Sequence, residues 1–326
     1  MNKWLKILGL GIVFLIVLLS VNEVILSKAG HLKSINNDAD LWSIEREKIA
    51  DLNEEAIVLI GASRMQVNID LELLKKMFPN REILQLALSG RGCSFPVFKD
   101  LVTNTDFKGI IIISENQRSL NDLYSKQSEV VSYYNSFTLD NKLNKKISMW
   151  FENRFLFLNT NSNSERLYGN LFGKMELPAP VFTKTYDSRE QTSFFDITDT
   201  KSIYIIRING VKKKVLKTPE KFSSWKKNLD LWKGLVDSFK RKGGKTIFVH
   251  MPFSKDRWEL ENKWKPKNIY WDEAMHYLGV SNIHFADYAK LQNYELPDTS
   301  HLNASSKKDF TYNMSIIFKD KMESEF

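Results

Sequence analysis

One cysteine, Cys93, occurs in 326 residues, so no intrachain disulfide can form and the fold must hold by packing alone, even in an oxidising compartment. The same scarcity excludes a lipid anchor on a cysteine near the N-terminus. Histidine is also sparse: His31, His276 and His284 are too scattered to suggest a metal site, and neither metal nor cofactor is expected. No internal repeat is evident. Charge is missing from one long stretch, since none falls between Ile7 and Asn22, and Ile7 to Leu19 is continuously apolar apart from two glycines.

A spanning helix needs roughly 20 apolar residues. The segment reaches that length when Trp4 and Val24 to Leu26 flank the interface and Lys3 and Lys6 snorkel. A cleaved signal peptide suits the same residues, with a basic start, a thirteen-residue apolar run and Ser27-Lys28-Ala29 as the cleavage site. Length favours the anchor. A buried core helix is disfavoured because nothing polar gives the stretch an outward face. With the basic residues first, the N-terminus stays in the cytoplasm and everything beyond about residue 30 lies outside, as a single-pass membrane protein or, after cleavage, a secreted one. The net charge of +8 then favours anionic headgroups or acidic glycans as partners over nucleic acid. Lys212, Lys213 and Lys214 read as a solvated strand face.

With 43% hydrophobic and 26% charged residues, the chain can build one sizeable core plus an insertion. Residues 1–29 are the anchor or signal segment and 30–54 a juxtamembrane linker, in which Leu41, Ile44 and Ile49 suggest a short amphipathic helix. An α/β domain fills 55–326. Five short apolar runs predict buried strands: Ala56 to Ile60, Ile83 to Leu88, Ile110 to Ile113, Thr246 to Val249 and Asn282 to Phe285. Helical spacing lies between them, at Leu71, Leu74, Met77 and Phe78 and at Met275 and Leu278. Trp225, Leu229, Trp232, Leu235, Val236 and Phe239 form a further stripe that Gly243-Gly244 ends. A last helix from about Ala304 to Met322 takes Asn303 or Ser305 as its N-cap. Alternation of this kind predicts a parallel sheet covered by helices on both faces.

Residues of about 120–222 break the alternation and read as an insertion. Its first part has Ile147, Trp150, Phe151, Phe155 and Leu158 at helical spacing; such a helix can cover a site or rest on the bilayer, but packing on the main core is favoured. Its second part has Ile203 to Ile208, then Asn209-Gly210, then Val211 to Leu216, which predicts a β-hairpin.

Ligands of an open parallel sheet bind beyond the carboxyl ends of its strands. Here those ends are followed by Gly61-Ala62-Ser63-Arg64, Ser89-Gly90-Arg91-Gly92 and Ser114-Glu115-Asn116, with Asp298-Thr299-Ser300-His301 near the C-terminus. An attacking serine needs a base, an acid to orient that base, and donors for the oxyanion. Ser63 would be the nucleophile, His301 the base and Asp298 the group that fixes its tautomer. Gly90, Gly92 and the Asn116 amide would form the oxyanion hole. His250 ends a strand near the same rim and reads as structural, and Cys93 as a small buried hydrophobe.

These blocks resemble the SGNH (GDSL-type) hydrolases, and within them the membrane-anchored, envelope-associated branch, over about 55–118 and 225–320. Ala62 stands where the family's name-giving motif has Asp, and Ser114-Glu115-Asn116-Gln117 where it has Gly-x-Asn-Asp. The second departure leaves Glu115 and Arg118 as further neighbours of the site. The resemblance implies a three-layer α/β/α sandwich with a flavodoxin-like parallel sheet, here with an insertion containing a helix and a hairpin. It implies Ser63 as nucleophile and His301 as base in an esterase or O-acyltransferase that works on O-acyl, chiefly acetyl, groups of an acylated envelope or exported glycan. A membrane-bound O-acyltransferase partner is implied in the same way. The rival reading is a non-catalytic accessory protein that keeps the sandwich as a binding platform in a cell-surface assembly.

Overall fold

The computed structural model describes residues 3–158 and 182–325. Five parallel strands form its central sheet: β1 (Ile57–Gly61), β2 (Ile83–Gln85), β3 (Ile110–Ser114), β6 (Lys245–His250) and β7 (Ser281–His284), in the order β2-β1-β3-β6-β7. All five predicted strands are therefore present. Between β3 and β6, within the insertion, β4 (Thr183–Thr185) and β5 (Gln191–Ser193) pair antiparallel.

The alternation of side chains along each strand divides the core in two. Ile57 and Leu59 of β1 face a layer that includes Met65, Phe310, Met314 and Phe318. Val58 and Ile60 face the opposite layer, with Trp42, Phe98, Trp232 and Phe239. Every residue of β1 and β3 is buried, which is why these strands read as unbroken apolar runs. The helix Lys226–Arg241 covers the second face, where Trp232 stacks on Phe98 at 5.7 Å and meets Phe248 edge-on at 5.4 Å. Helix Ala304–Glu325 covers the first, and the Asn303 Oδ1 accepts from the Ala304 N–H at its start. The result is a mixed α/β fold with helices on both sides of a parallel sheet, an α/β/α sandwich.

The hairpin predicted around Asn209-Gly210 is not there: Thr200–Val215 is one α-helix, and Lys212 to Lys214 are exposed on its last turn instead of on a strand. Three features outweigh the Asn-Gly signal. Asp199 caps the helix by accepting from the Ser202 N–H at 3.0 Å. Tyr204, Ile208 and Val211 recur at helical spacing, with Ile208 and Val211 buried. The Tyr204 hydroxyl donates to Asp256 at 3.0 Å, on the neighbouring helix Lys255–Trp264.

Residues 30–54 include a helix, Ala39–Glu47, whose Trp42 is wholly buried and donates its indole N–H to the Leu86 carbonyl at 3.0 Å. The N-terminal apolar segment is a continuous helix, Lys3–Lys28, long and apolar enough to cross a membrane. The helix Leu139–Glu152 packs against Ala39–Glu47 through its other face, and the stripe expected to rest on the main core does not do so: Ile147, Trp150 and Phe151 are exposed, as is Leu158 beyond the helix.

Candidate active site

The strand order runs one way from β1 to β2 and the other way from β3 onward, so the carboxyl ends of β1 and β3, paired as far as Gly61 and Ser114, form the switch point of the sheet. Gly61, the last residue of β1, has φ +146, and a Cβ there would lie 2.9 Å from the Ser114 Cβ and carbonyl oxygen. Only glycine lets β1 turn so close to β3. Ser63 follows as the first residue of the short helix Ser63–Asn68, so its backbone N–H has no intrahelical partner.

His301 reaches this serine from 238 residues away, with Nε2 2.8 Å from the Ser63 Oγ. Its Nδ1 is 2.6 Å from Asp298 Oδ2, while Asp298 Oδ1 accepts the backbone N–H groups of Ser300 at 3.0 Å and His301 at 2.8 Å. Asp298 is almost completely buried and His301 slightly open to solvent. Burial pushes the carboxyl up, but the His301 ring and the two backbone N–H groups outweigh it and hold Asp298 at about 2. The pair is thus a carboxylate donating nothing, an imidazole whose Nδ1–H it accepts, and a free Nε2 lone pair facing a hydroxyl. Such a relay can draw the proton from Ser63 as its oxygen attacks an electrophilic carbon.

The turn that carries the relay is constrained. Thr299 has φ +77, unusual for a β-branched residue, and its Oγ1 accepts from Arg257 at 3.3 Å. Asn68 brackets the turn: its Nδ2 donates to the Ser300 carbonyl at 3.3 Å and its Oδ1 accepts from the Leu302 N–H at 3.0 Å. Ser63 and His301 are therefore held to opposite ends of one rigid turn of helix. Gln127 plays the same part across the rim, its Nε2 donating to the carbonyls of Gly61 at 3.0 Å and Gly92 at 2.9 Å. Sequence reading missed both residues, because a polar side chain that bonds backbone 35 or more positions away leaves no local pattern.

Gly90 and Gly92 adopt φ +73 and +81 in the exposed loop after β2. Asn116 follows β3, and its Oδ1 is taken by the N–H groups of Arg118 and Ser119, both at 2.9 Å. None of these three residues hydrogen-bonds to Ser63, His301 or Asp298, and the Nδ2 of Asn116 has no partner among the described residues. Glu115 is turned away, buried, and accepts from the Ser94 N–H at 2.6 Å and hydroxyl at 2.5 Å. Burial pushes its pKa up. His250 is fully buried, with Nδ1 2.9 Å from the Met251 carbonyl and Nε2 2.8 Å from the Gln117 amide, and desolvation holds it neutral. It is structural. Cys93 is buried, its thiol pushed up by burial and by Glu115.

Asp298 and His301 open onto a cleft of about 310 Å³. Its other walls are Ser34 to Asn37, Ser89, the β4–β5 hairpin and Arg207 of the helix Thr200–Val215. The hairpin is fixed in place by the buried Lys307, whose Nζ lies 2.5 Å from Glu190 and 2.7 Å from the Gln191 carbonyl. The insertion and the residues after the helix Lys3–Lys28 thus wall the side of the relay on which Asp298 and His301 lie.

No family model matches the sequence, and no curated protein matches it. Among solved structures, one titled "Crystal Structure of TesA" is similar over 82% of this chain and 99% of its own, with 8% identity and a TM-score of 0.37.

Proposed function

We propose that the chain is an SGNH-type serine esterase or O-acyltransferase that acts outside the cytoplasm on O-acyl groups, chiefly acetyl, of an envelope or exported glycan. One observation carries the reading: Ser63, His301 and Asp298 form an unbroken hydrogen-bonded relay of 2.8 and 2.6 Å beside an open cleft. In the first half-reaction the Ser63 oxygen bonds to the acyl carbon while its proton passes to His301 Nε2. The developing imidazolium is stabilised by Asp298. Collapse of the tetrahedral intermediate breaks the bond to the sugar oxygen, which takes the proton from His301 and leaves an acyl-Ser63 ester. Water or a second sugar hydroxyl then gives its proton to Nε2 and its oxygen to the acyl carbon, and collapse of that intermediate breaks the bond to the Ser63 oxygen, which takes the proton back from Nε2. Gly90, Gly92, Asn116 and the Ser63 N–H are the donors assigned to the oxyanion. The helix Lys3–Lys28 is assigned as a single-pass anchor with its N-terminus in the cytoplasm, which is what Lys3 and Lys6 at its start favour.

A serine-directed fluorophosphonate tests the chemistry. The full-length protein in detergent should form one adduct, located by mass spectrometry on Ser63, and His301→Ala should abolish labelling without unfolding the chain. A folded wild-type protein that stays unlabelled would favour the binding-platform reading.

A further inference from the structure

The insertion helix Leu139–Glu152 is amphipathic in the inverted sense. Its inward face is polar. Lys145 is buried, with its Nζ 2.9 Å from the Asn36 carbonyl and 2.7 Å from Asp38. Glu152, also buried, accepts from the Asn36 N–H at 3.0 Å and the Asn36 Nδ2 at 2.7 Å. Its outward face is apolar: Leu139, Leu143, Ile147, Trp150 and Phe151 are 69%, 49%, 58%, 51% and 41% exposed. A water-facing helix has the reverse arrangement.

The exposed stripe is continuous with the anchor helix. Phe151, Phe155, Phe157 and Leu158 share an almost wholly apolar groove with Ile16 and Leu19. At one end of it the Glu23 carboxylate accepts from the Leu156 N–H at 2.8 Å, which fixes the height of this cluster along the anchor. At 1.5 Å per residue, Glu23 lies about 25 Å along the helix from Lys6, close to the roughly 30 Å thickness of a bilayer's hydrocarbon core. The groove runs from Ile16 to Glu23, about 15 to 25 Å from Lys6, so its phenylalanines lie along the outer half of the hydrocarbon core and reach the outer membrane–water boundary at Glu23. Arg154 stacks on Trp150 at 3.8 Å and Lys146 is exposed beside the stripe, a flanking pattern suited to headgroups.

We infer that this face of the insertion lies on the outer leaflet beside the anchor helix, with the lipid bilayer as its occupant. The inference rests on the anchor reading proposed above and not on the acyl chemistry. It has a consequence for the cleft. Asn36, which Lys145 and Glu152 grip from the polar side of this helix, walls the cleft together with His301. Only five residues separate the end of the anchor at Lys28 from Ser34, which also lines it, a span of at most about 22 Å. The bilayer contact thus fixes one wall of the cleft and holds its mouth near the membrane.

Site-directed spin labelling of the full-length protein in lipid nanodiscs tests this. Labels are placed by Leu143→Cys and Ile147→Cys on the stripe, by Leu10→Cys in the anchor, and by Tyr124→Cys, which is 98% exposed elsewhere. Collision with oxygen, which concentrates in lipid, is compared with collision with a water-soluble nickel chelate. The inference expects positions 143 and 147 to match position 10, favouring oxygen, while position 124 favours the chelate. If position 10 reads as lipid but 143 and 147 as water, the inference is overturned and the anchor reading survives. If 143 and 147 are shielded from both reagents, protein covers the stripe, either a second copy or residues 159–181, and the inference fails. A position 10 that reads as water overturns both.

Discussion

Asp298→Asn is the most informative single change, because the structure dictates which way the new amide must face. Asp298 Oδ1 accepts two backbone N–H groups, from Ser300 and His301, so the remaining amide oxygen must keep that place. The NH2 then takes the position of Oδ2, 2.6 Å from the His301 Nδ1. Two donors cannot meet there, so the ring moves its proton to Nε2 and presents an N–H to Ser63 where the mechanism needs a lone pair. Loss of a positioned base costs about 10²- to 10⁴-fold in turnover, and hydrolysis of a small aryl acetate should fall by that factor with KM little changed. A stability signature accompanies it. The carboxyl pKa is lowered in the fold to about 2 from 3.8, so its contribution is fully present above pH 3.8 and is lost as pH falls through about 2. At about 1.4 kcal/mol per unit this amounts to about 2 kcal/mol. Urea unfolding should show the variant less stable than wild type at pH 6 by about that much, and the difference should shrink near pH 2. Wild-type turnover in a folded Asp298→Asn protein would refute the relay, whatever its stability.

Gly61→Ala would force a Cβ to 2.9 Å from Ser114 at φ +146, so it should lose about 2–5 kcal/mol in urea unfolding, the sum of backbone strain and overpacking. Asn68→Ala strands the buried Leu302 N–H and Ser300 carbonyl, with an expected loss of about 1–3 kcal/mol and a lower kcat, because His301 is no longer held to the Ser63 helix. Gly210→Ala separates helix from hairpin: an added Cβ meets nothing within 4 Å, so a helical Gly210 gains about 0.5–1 kcal/mol, whereas the second position of an Asn-Gly turn would lose stability.

Much of this molecule was legible because burial on both faces of a parallel sheet demands unbroken apolar strands, and those runs cannot be mistaken for anything amphipathic. The catalytic candidates were legible for a related reason, since a doubly wound sheet brings strand ends to one rim whatever the sequence distance between them. Asp298 and His301 could be read as one unit because a carboxylate three residues before an imidazole can turn back to its ring nitrogen; the bonds from the Ser300 and His301 backbone N–H groups that hold it there were not legible. Where reading failed, a local signal competed with a distant contact. Asn209-Gly210 is a strong turn signal, and the β-branched isoleucines around it favour strands, yet Asp199 at the N-cap and the Tyr204-Ile208-Val211 spacing were also present in the sequence. Packing against Lys255–Trp264 decided between them.

The insertion helix shows a different limit. Ile147, Trp150 and Phe151 have the spacing of a core-facing stripe, and spacing alone says that one face is apolar without saying what covers it. Direction comes from the opposite face. Lys145 and Glu152 are charged residues with almost no exposure, and a buried charge survives only where partners are waiting. Their partners are Asn36 and Asp38, just beyond the helix Lys3–Lys28, so the polar face is committed inward and the apolar face has only the outside left to it. The same contacts that aim the helix outward hold Asn36 in the wall of the cleft, so removing the Glu152 carboxylate should disturb the approach to His301 without touching the relay itself.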